Sequence, residues 1–337
     1  MAYAGIDIAN RTSAICLLDG EGRIEREMTV GTDEGSLASA LSATSRRRVV
    51  LEASPLAEWV AAVIEGIGHE AVIIDARAAK HLVSAAKKTD ERDARTLAQM
   101  SRTGWYTAVH RKSGQAREQR SRIQARQALV RTHTRLNAQL RGLMRAHGVR
   151  VGSVSAGHFG ERVRELLADQ LPELAFALEP LIVVYERALE QARELERELK
   201  RMARRDQLNQ RLQSVPGVGP LVSAAYIATV DDPRRFNSHD ELADYIGLAP
   251  RVYQSGDCHY HGRITREGDK LLRWHLVEAA HALLCRGADC ALKRWGQRLA
   301  ERKGQAKAKV AVARKLAGLL RRLWLTGECF AHWPETA

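Results

Sequence analysis

Residues 2–30, AYAGIDIANRTSAICLLDGEGRIEREMTV, decide the fold class. Apolar and β-branched residues gather over 2–9, 12–19 and 23–30, with turn residues at Asn10-Arg11 and Gly20–Gly22 between them. That pattern predicts three short strands joined by tight turns. A helical stretch is expected over 34–45. The apolar run Val49-Val50-Leu51 then reads as a buried strand ending at Glu52. Pro55 opens an amphipathic helix to about Ile67. Residues 70–75, EAVIID, form a further strand, followed by helices near 77–86 and 91–103. Three meandering strands followed by alternating helix and strand predict a mixed α/β sheet.

That order resembles the layout of an RNase H-like domain. Beyond it, from Ser113 to Arg205, no strand pattern is found. The segment 115–148 is rich in Arg and Gln, with Ile123, Leu129, Leu136, Leu140 and Leu143 at helical spacing. Residues 148–160 break it, and a second long helix is expected from about 180 to 204. The pair forms a helical hairpin or coiled-coil arm, which holds two protomers together or packs on itself. From about 206 the chain reads as helix, glycine hairpin, helix, then as loop and short strands over 245–265. It ends in basic helices to about 326. With 337 residues, the chain fits two or three domains. The expected boundaries are 1–112, 113–205 and 206–337, with the last mainly helical.

Lys and Arg number 53 against 40 Asp and Glu, a formal charge of +13. Its distribution matters more than its total. Residues 111–150 and residues 293–322 each hold 11 Lys/Arg and one Glu, which leaves the rest of the chain net acidic. Two concentrated basic segments on an acidic body are the footprint of nucleic-acid binding. Aromatic residues are only 5%, which favours tracking of phosphates over base stacking. Five scattered cysteines fit no disulfide framework, and no stretch is long and apolar enough for a membrane span. Without a signal-peptide pattern at the N-terminus, a soluble cytoplasmic protein is expected.

Three constellations could carry chemistry. The first comprises Asp7, inside an apolar strand, Glu52 at the end of another, and Asp90 with Asp93 at a helix start. A carboxylate in a strand core is costly unless a cation or hydrogen bonds satisfy it. Four converging carboxylates suit Mg²⁺, and two such ions can stabilise both oxygens of a phosphodiester displacement. Taken alone, Asp90 and Asp93 also read as a helix cap and a dipole-complementing acid. The second is Pro216-Gly217-Val218-Gly219-Pro220, which resembles a helix-hairpin-helix turn whose amides grip a DNA phosphate. An ordinary tight turn is the simpler reading. The third is Ser255-Gly256-Asp257, with Arg251, Arg263, Lys270 and Arg273 as nearby cations. A serine on a turn can attack a phosphodiester where cations stabilise the developing charge, although alone it reads as a hairpin residue. Arg120, Arg126 and Arg131 in the first basic segment are further candidates for contact with DNA or RNA. Cys258, His259, His261, Cys285 and Cys290 fit no standard zinc spacing.

Together these residues resemble the insertion sequence 110 family of transposases, relatives of the Piv DNA invertase. GIDIA with Glu52 and Asp90-x-x-Asp93 looks like that family's RuvC-like DEDD domain. SVPGVGPLVSAAYIATV, DPRRFNSHDELADYIGLAPRVYQSG and GRITREGDKLLR look like its C-terminal transposase domain. The resemblance implies that Asp7, Glu52, Asp90 and Asp93 bind Mg²⁺ and that Ser255 forms a transient phosphoserine link to DNA. It implies a composite site whose carboxylates and serine come from different protomers, in a homo-oligomer that is a dimer and becomes a tetramer at synapsis. It also implies a noncoding bridge RNA that selects donor and target DNA by base pairing, which leaves the protein to hold backbone and shape. The alternatives are a RuvC-type, metal-dependent, structure-selective nuclease and an RNA-independent, Piv-like invertase.

Overall fold

The computed structural model describes residues 2–42, 45–75, 89–255 and 258–330. The chain divides into two compact units, Met1–Lys112 and Ser113–Ala337. The first unit contains strands β1 (Ala2–Ile8), β2 (Thr12–Leu18), β3 (Ile24–Gly31), β4 (Arg47–Glu52) and β5 (Glu70–Ile74). Its helices are α1 (Glu34–Ser42), α2 (Ala57–Gly66) and α3 (Asp90–Thr103). The sheet runs β3-β2-β1-β4-β5. The β1–β2 and β2–β3 pairs are antiparallel, whereas β1–β4 and β4–β5 are parallel. This is a mixed α/β sheet, as the strand pattern predicts. The helix expected near 77–86 lies outside the described residues.

Alternation along each strand sends successive side chains to opposite faces. Ala4, Ile6, Ile15, Leu17, Val49 and Leu51 pack with Leu37, Leu41, Val60 and Ile64 beneath α1 and α2. Ala14, Cys16 and Leu18 pack with Ala94 and Ala98 of α3, and Val50 packs with Leu97 and Met100. Both faces of β4 are therefore covered, which is why it reads as an unbroken apolar run.

The second unit is mostly helical: α4 (Gly114–Ala146), α5 (Phe159–Gln170), α6 (Ala175–Arg205), α7 (Gln207–Gln213), α8 (Pro220–Val230) and α9 (His239–Ile246). A two-stranded ribbon follows, β6 (Pro250–Ser255) and β7 (Cys258–Ile264). The last helices are α10 (Lys270–Arg286), α11 (Ala291–Lys303) and α12 (Gln305–Thr326). Helices α4 and α6 form an antiparallel hairpin, with α5 filling its open end. There Phe159, Val163 and Leu167 meet Leu140, Met144, Ile182 and Tyr185.

Helix α5 runs from the end of the break expected at 148–160 toward the helix expected from about 180, in a stretch where the sequence reading places no element. Its signal is Phe159, Val163, Leu166 and Leu167 on one face. Helix α6 begins at Ala175 instead of near 180 and runs through Pro180. Proline removes one amide donor there, in an early turn exposed to water that can take up the freed carbonyl. The other end of the hairpin packs on α8 through Ile123, Leu199, Ala224, Ala225 and Ala228. That contact joins segments 113–205 and 206–337 in one compact unit. Leu212, Val218, Tyr226, Leu242, Leu276, Leu283, Leu316 and Leu320 form its main core, where the buried Tyr226 hydroxyl donates to the Ala317 carbonyl at 2.8 Å. Among the described residues, no helix is long and apolar enough to cross a membrane.

Candidate active site and nucleic-acid interface

The parallel register of β1 and β4 pairs Gly5 with Val50 and Ile6 with Leu51. One step further, Asp7 and Glu52 stand side by side at the C-terminal ends of neighbouring strands. Both share parity with Gly5 and Val50, so both belong to the face that α3 covers. Helix α3 runs antiparallel to those strands. Its middle lies on Gly5, and Ser101 near its end donates to the Arg48 carbonyl at 2.7 Å, at the start of β4. Its acidic first turn, with Asp90 and Asp93, therefore lies toward the end of the sheet that carries Asp7 and Glu52.

Several interactions hold α3 in that position. Thr89 caps it, accepting from the Arg92 amide. A Cβ on Gly5 would lie 2.2 Å from the Ala98 nitrogen and 2.3 Å from the Ala94 oxygen, so helix and strand backbones touch. Arg95 grips both carboxylate oxygens of Glu27 on β3, one of them at 2.6 Å. The Arg95 guanidinium holds the Glu27 carboxyl below its ordinary range. Burial, with Glu27 adding to it, pushes the Cys16 thiol up to about 11, which makes it an inert core group. Gly5, Glu27 and Arg95 are the residues that sequence reasoning missed. The glycine in GIDIA was the one visible signal, since a glycine inside a strand marks close backbone approach.

Asp7, Glu52, Asp90 and Asp93 offer only oxygen donors, the set that suits a hard divalent ion. The structure brings the four to one end of the sheet. Among the described residues, however, no three His, Cys, Asp or Glu side chains are close enough together to hold a metal.

Ser255 lies in the second unit. It is the last residue of β6, and its ladder partner is Cys258, the first residue of β7. Residues 256–257 lie outside the described residues. The ribbon is rooted by backbone bonds from Thr265 to Ala249 and from Arg266 to Gly247. Arg273 donates to the Ile246 carbonyl at 2.7 Å, at this root and not at the serine end. Arg251 reaches the Thr265 carbonyl at 3.4 Å, whereas Arg263 and Lys270 are exposed.

The glycine turn joins α7 to α8. Gly217 has φ +88°, and a Cβ there would meet the Ala279 oxygen at 2.6 Å, so the turn lies directly on α10. Gly219 is the N-cap of α8. Beneath the turn, His275 is buried with its Nε2 unpartnered. Burial, and then the nearby Arg126 charge, push its imidazole down to about 4, partly offset by Asp269. Unfolded histidine takes its proton near 6.5. Between pH 6.5 and 4 the unfolded chain therefore binds the extra proton. Stability from this group is full above pH 6.5 and is lost as the pH falls toward 4, by up to roughly 3 kcal/mol. Thermal unfolding from pH 7 to 4.5 should show this loss, and His275→Gln should flatten it.

The basic helix α4 divides in function. Arg120 pairs with Asp269, the N-cap of α10, and donates to the Thr229 hydroxyl at 3.2 Å. Arg126 pairs with Glu196 at 2.6 Å, and Arg131 is exposed. Arg120 thus serves as an internal tie, because its guanidinium is already engaged. Arg120→Ala should destabilise the second unit by about 2–3 kcal/mol, read in chemical denaturation, while binding of DNA or RNA at saturating protein stability changes little.

Residues 209–295 match the family model described as "Transposase IS116/IS110/IS902 family". Residues 4–148 match a second model, described as "Transposase", of the DEDD type of the IS110 group. Among curated relatives, the transposase for insertion sequence element IS1111A of Coxiella burnetii is 28% identical over 332 residues, covering 97% of this chain and 90% of that protein. The transposase y4pF/y4sB of Sinorhizobium fredii is 30% identical over 287 residues, covering 84% and 74%. The pilin gene-inverting protein of Moraxella lacunata is 34% identical over 103 residues, about 30% of this chain and 31% of that protein.

Proposed function

This chain belongs to the IS110 family of transposases, enzymes that cleave and rejoin DNA, and on that premise we propose that it is an RNA-guided recombinase using a serine nucleophile and a carboxylate-bound metal. One observation carries the reading. Asp7 and Glu52 are adjacent in register on the α3-covered face, and the acidic start of α3 lies toward the same end of the sheet. Glutamate and aspartate collected where strands end are costly as a structural device and useful as a seat for a cation. A DEDD domain suggests dependence on a divalent metal. Mg²⁺ held by Asp7, Glu52, Asp90 and Asp93 would act as a Lewis acid on the scissile phosphate.

The remaining steps belong to the chain's own residues. The Ser255 hydroxyl attacks phosphorus and displaces a deoxyribose oxygen, which leaves as a hydroxyl. The resulting phosphoserine ester stores the bond energy until a DNA hydroxyl attacks it and frees the serine. Arg251, Arg263 and Lys270 neutralise DNA phosphates near the ribbon in this reading, which the exposure of Arg263 and Lys270 supports. Carboxylates and serine come from different protomers of a homo-oligomer, and a bridge RNA bound along the exposed basic residues, Arg131 among them, selects donor and target.

The test mixes the protein with RNA transcribed from the element's flanks, Mg²⁺ and junction DNA, and looks for a denaturation-resistant protein–DNA adduct. An adduct that needs Ser255, RNA and metal is the expected result. Metal-dependent cutting without an adduct would instead assign the protein to the RuvC-type nucleases. The likeness to a pilin gene-inverting protein favours one second reading, an RNA-independent invertase. An adduct of undiminished yield in the RNA-free arm would select it.

A further inference from the structure

An open groove of about 340 Å³ runs over the second unit between the glycine turn, α8 and α10. Its floor is the Gly217–Gly219 turn, which the missing Cβ at Gly217 allows to lie on the α10 backbone. The start of α8 opens into it. Val222 and Ser223 both donate to the Gly219 carbonyl, so the earlier Leu221 amide is one of the donors that a helix start leaves over. Lys200 and Arg126 stand on one wall, and Arg286 ends the other. Lys200 and Arg126 share a single carboxylate, Glu196, so that wall keeps an unneutralised positive charge. Glu278 is the carboxylate on the opposite wall.

Two further features do not follow from a helix start. Trp274 lines the groove and is 44% exposed. Beside it is His275, only 3% exposed, whose ring lies 4.8 Å from the indole at 71°. Its Nε2 has no hydrogen-bond partner among the described residues. An indole braced edge-on by a buried ring, beside cations and the Leu221 amide, has the elements of a single-strand site. Phosphate goes to that amide and the cations, and a base face goes to the aromatic. In a duplex the bases are already stacked on each other, so an exposed tryptophan gains little from it.

We infer that this groove binds an unpaired nucleotide, with its phosphate at the start of α8 near Lys200 and Arg286 and its base on Trp274. Either DNA or RNA could supply such a nucleotide, as a displaced strand or as a guide loop. The inference deepens the recombinase reading and rests on its nucleic-acid partners, but it does not depend on the chemistry of Ser255.

The experiment measures fluorescence anisotropy of labelled oligonucleotides with the full chain. The probes are a 12-nucleotide dT strand, a 12-nucleotide rU strand and a 20-base-pair DNA duplex. Trp274→Ala should weaken single-strand binding about tenfold, with duplex affinity held within twofold and Trp274→Phe restoring most of the loss. Arg286→Ala should weaken single-strand binding and lower its salt dependence by about one ion. The strand type that suffers the larger loss identifies the source. Unchanged single-strand binding in a folded Trp274→Ala protein overturns the inference. Equal loss on duplex and single strands overturns it too, because stacking on an unpaired base could not produce it. All arms are repeated with Ser255→Ala, in which this binding should persist, so failure of the serine chemistry and failure of the groove are read separately.

Discussion

Ser255→Ala is expected to bind junction DNA and RNA as the parent does, form no covalent adduct, and lose strand joining by roughly 10⁴-fold or more. The size of the effect follows from the chemistry. An alanine methyl cannot form the ester. Position explains why binding should survive. Ser255 ends β6, opposite Cys258, while the root of the ribbon is fixed elsewhere, by Thr265 to Ala249 and by Arg273 to Ile246. Removing one hydroxyl from the serine end leaves those bonds intact. Gel analysis after denaturation reads the adduct, and product yield reads joining. Wild-type rates of cutting in Ser255→Ala would hand the chemistry to the carboxylates alone.

Gly5→Ala should cost the first unit about 3 kcal/mol or more, lowering its melting temperature by roughly 10–20 °C. The added methyl would sit 2.2 Å from the Ala98 nitrogen and 2.3 Å from the Ala94 oxygen. Both are backbone atoms of α3, so no side chain can rotate away. Either the helix lifts from β1 or the strand bends. In both cases Asp93 moves relative to Asp7, and misplacement of about 1 Å can cost on the order of 10²-fold in rate. Calorimetry with a cleavage assay at low temperature measures both effects. Gly66→Ala is the control, since a Cβ there meets nothing within 4 Å and the site is helical. A Gly5→Ala protein as stable and active as that control would show that α3 does not bear on the carboxylates.

Local chemistry is what made the first unit legible. Strands β1 to β3 announce themselves by turn residues and the apolar and β-branched residues gathered between them, and β4 by its apolar run. Asp7 and Glu52 were visible as charges beside apolar strand residues, and Asp90 with Asp93 as an i, i+3 pair at a helix start. What stayed hidden depends on distant partners. Nothing local distinguishes Arg120, held by Asp269 149 positions later, from Arg131, which is exposed. Likewise Glu27 and Arg95 become a pair only once α3 lies across β1 and β2, from where Arg95 reaches β3. Helix α5 escaped because it starts inside the glycine-rich break at 148–160 and is short, although Phe159, Val163 and Leu167 bury one face. The helix start expected near 180 falls at Pro180, which α6 absorbs within its second turn.

The pairing of β1 with β4 also governs which changes of chain length this protein can tolerate. Asp7 and Glu52 share a face because each lies an even number of residues from a neighbour, Gly5 or Val50, that meets α3. Substitution within either strand leaves that parity intact. A single inserted or deleted residue between Gly5 and Asp7 reverses it, turning the carboxylate toward the apolar layer under α1 and α2. Single insertions and deletions are therefore excluded between Gly5 and Asp7 and between Val50 and Glu52, and the first unit can vary in letter within these stretches but not in count.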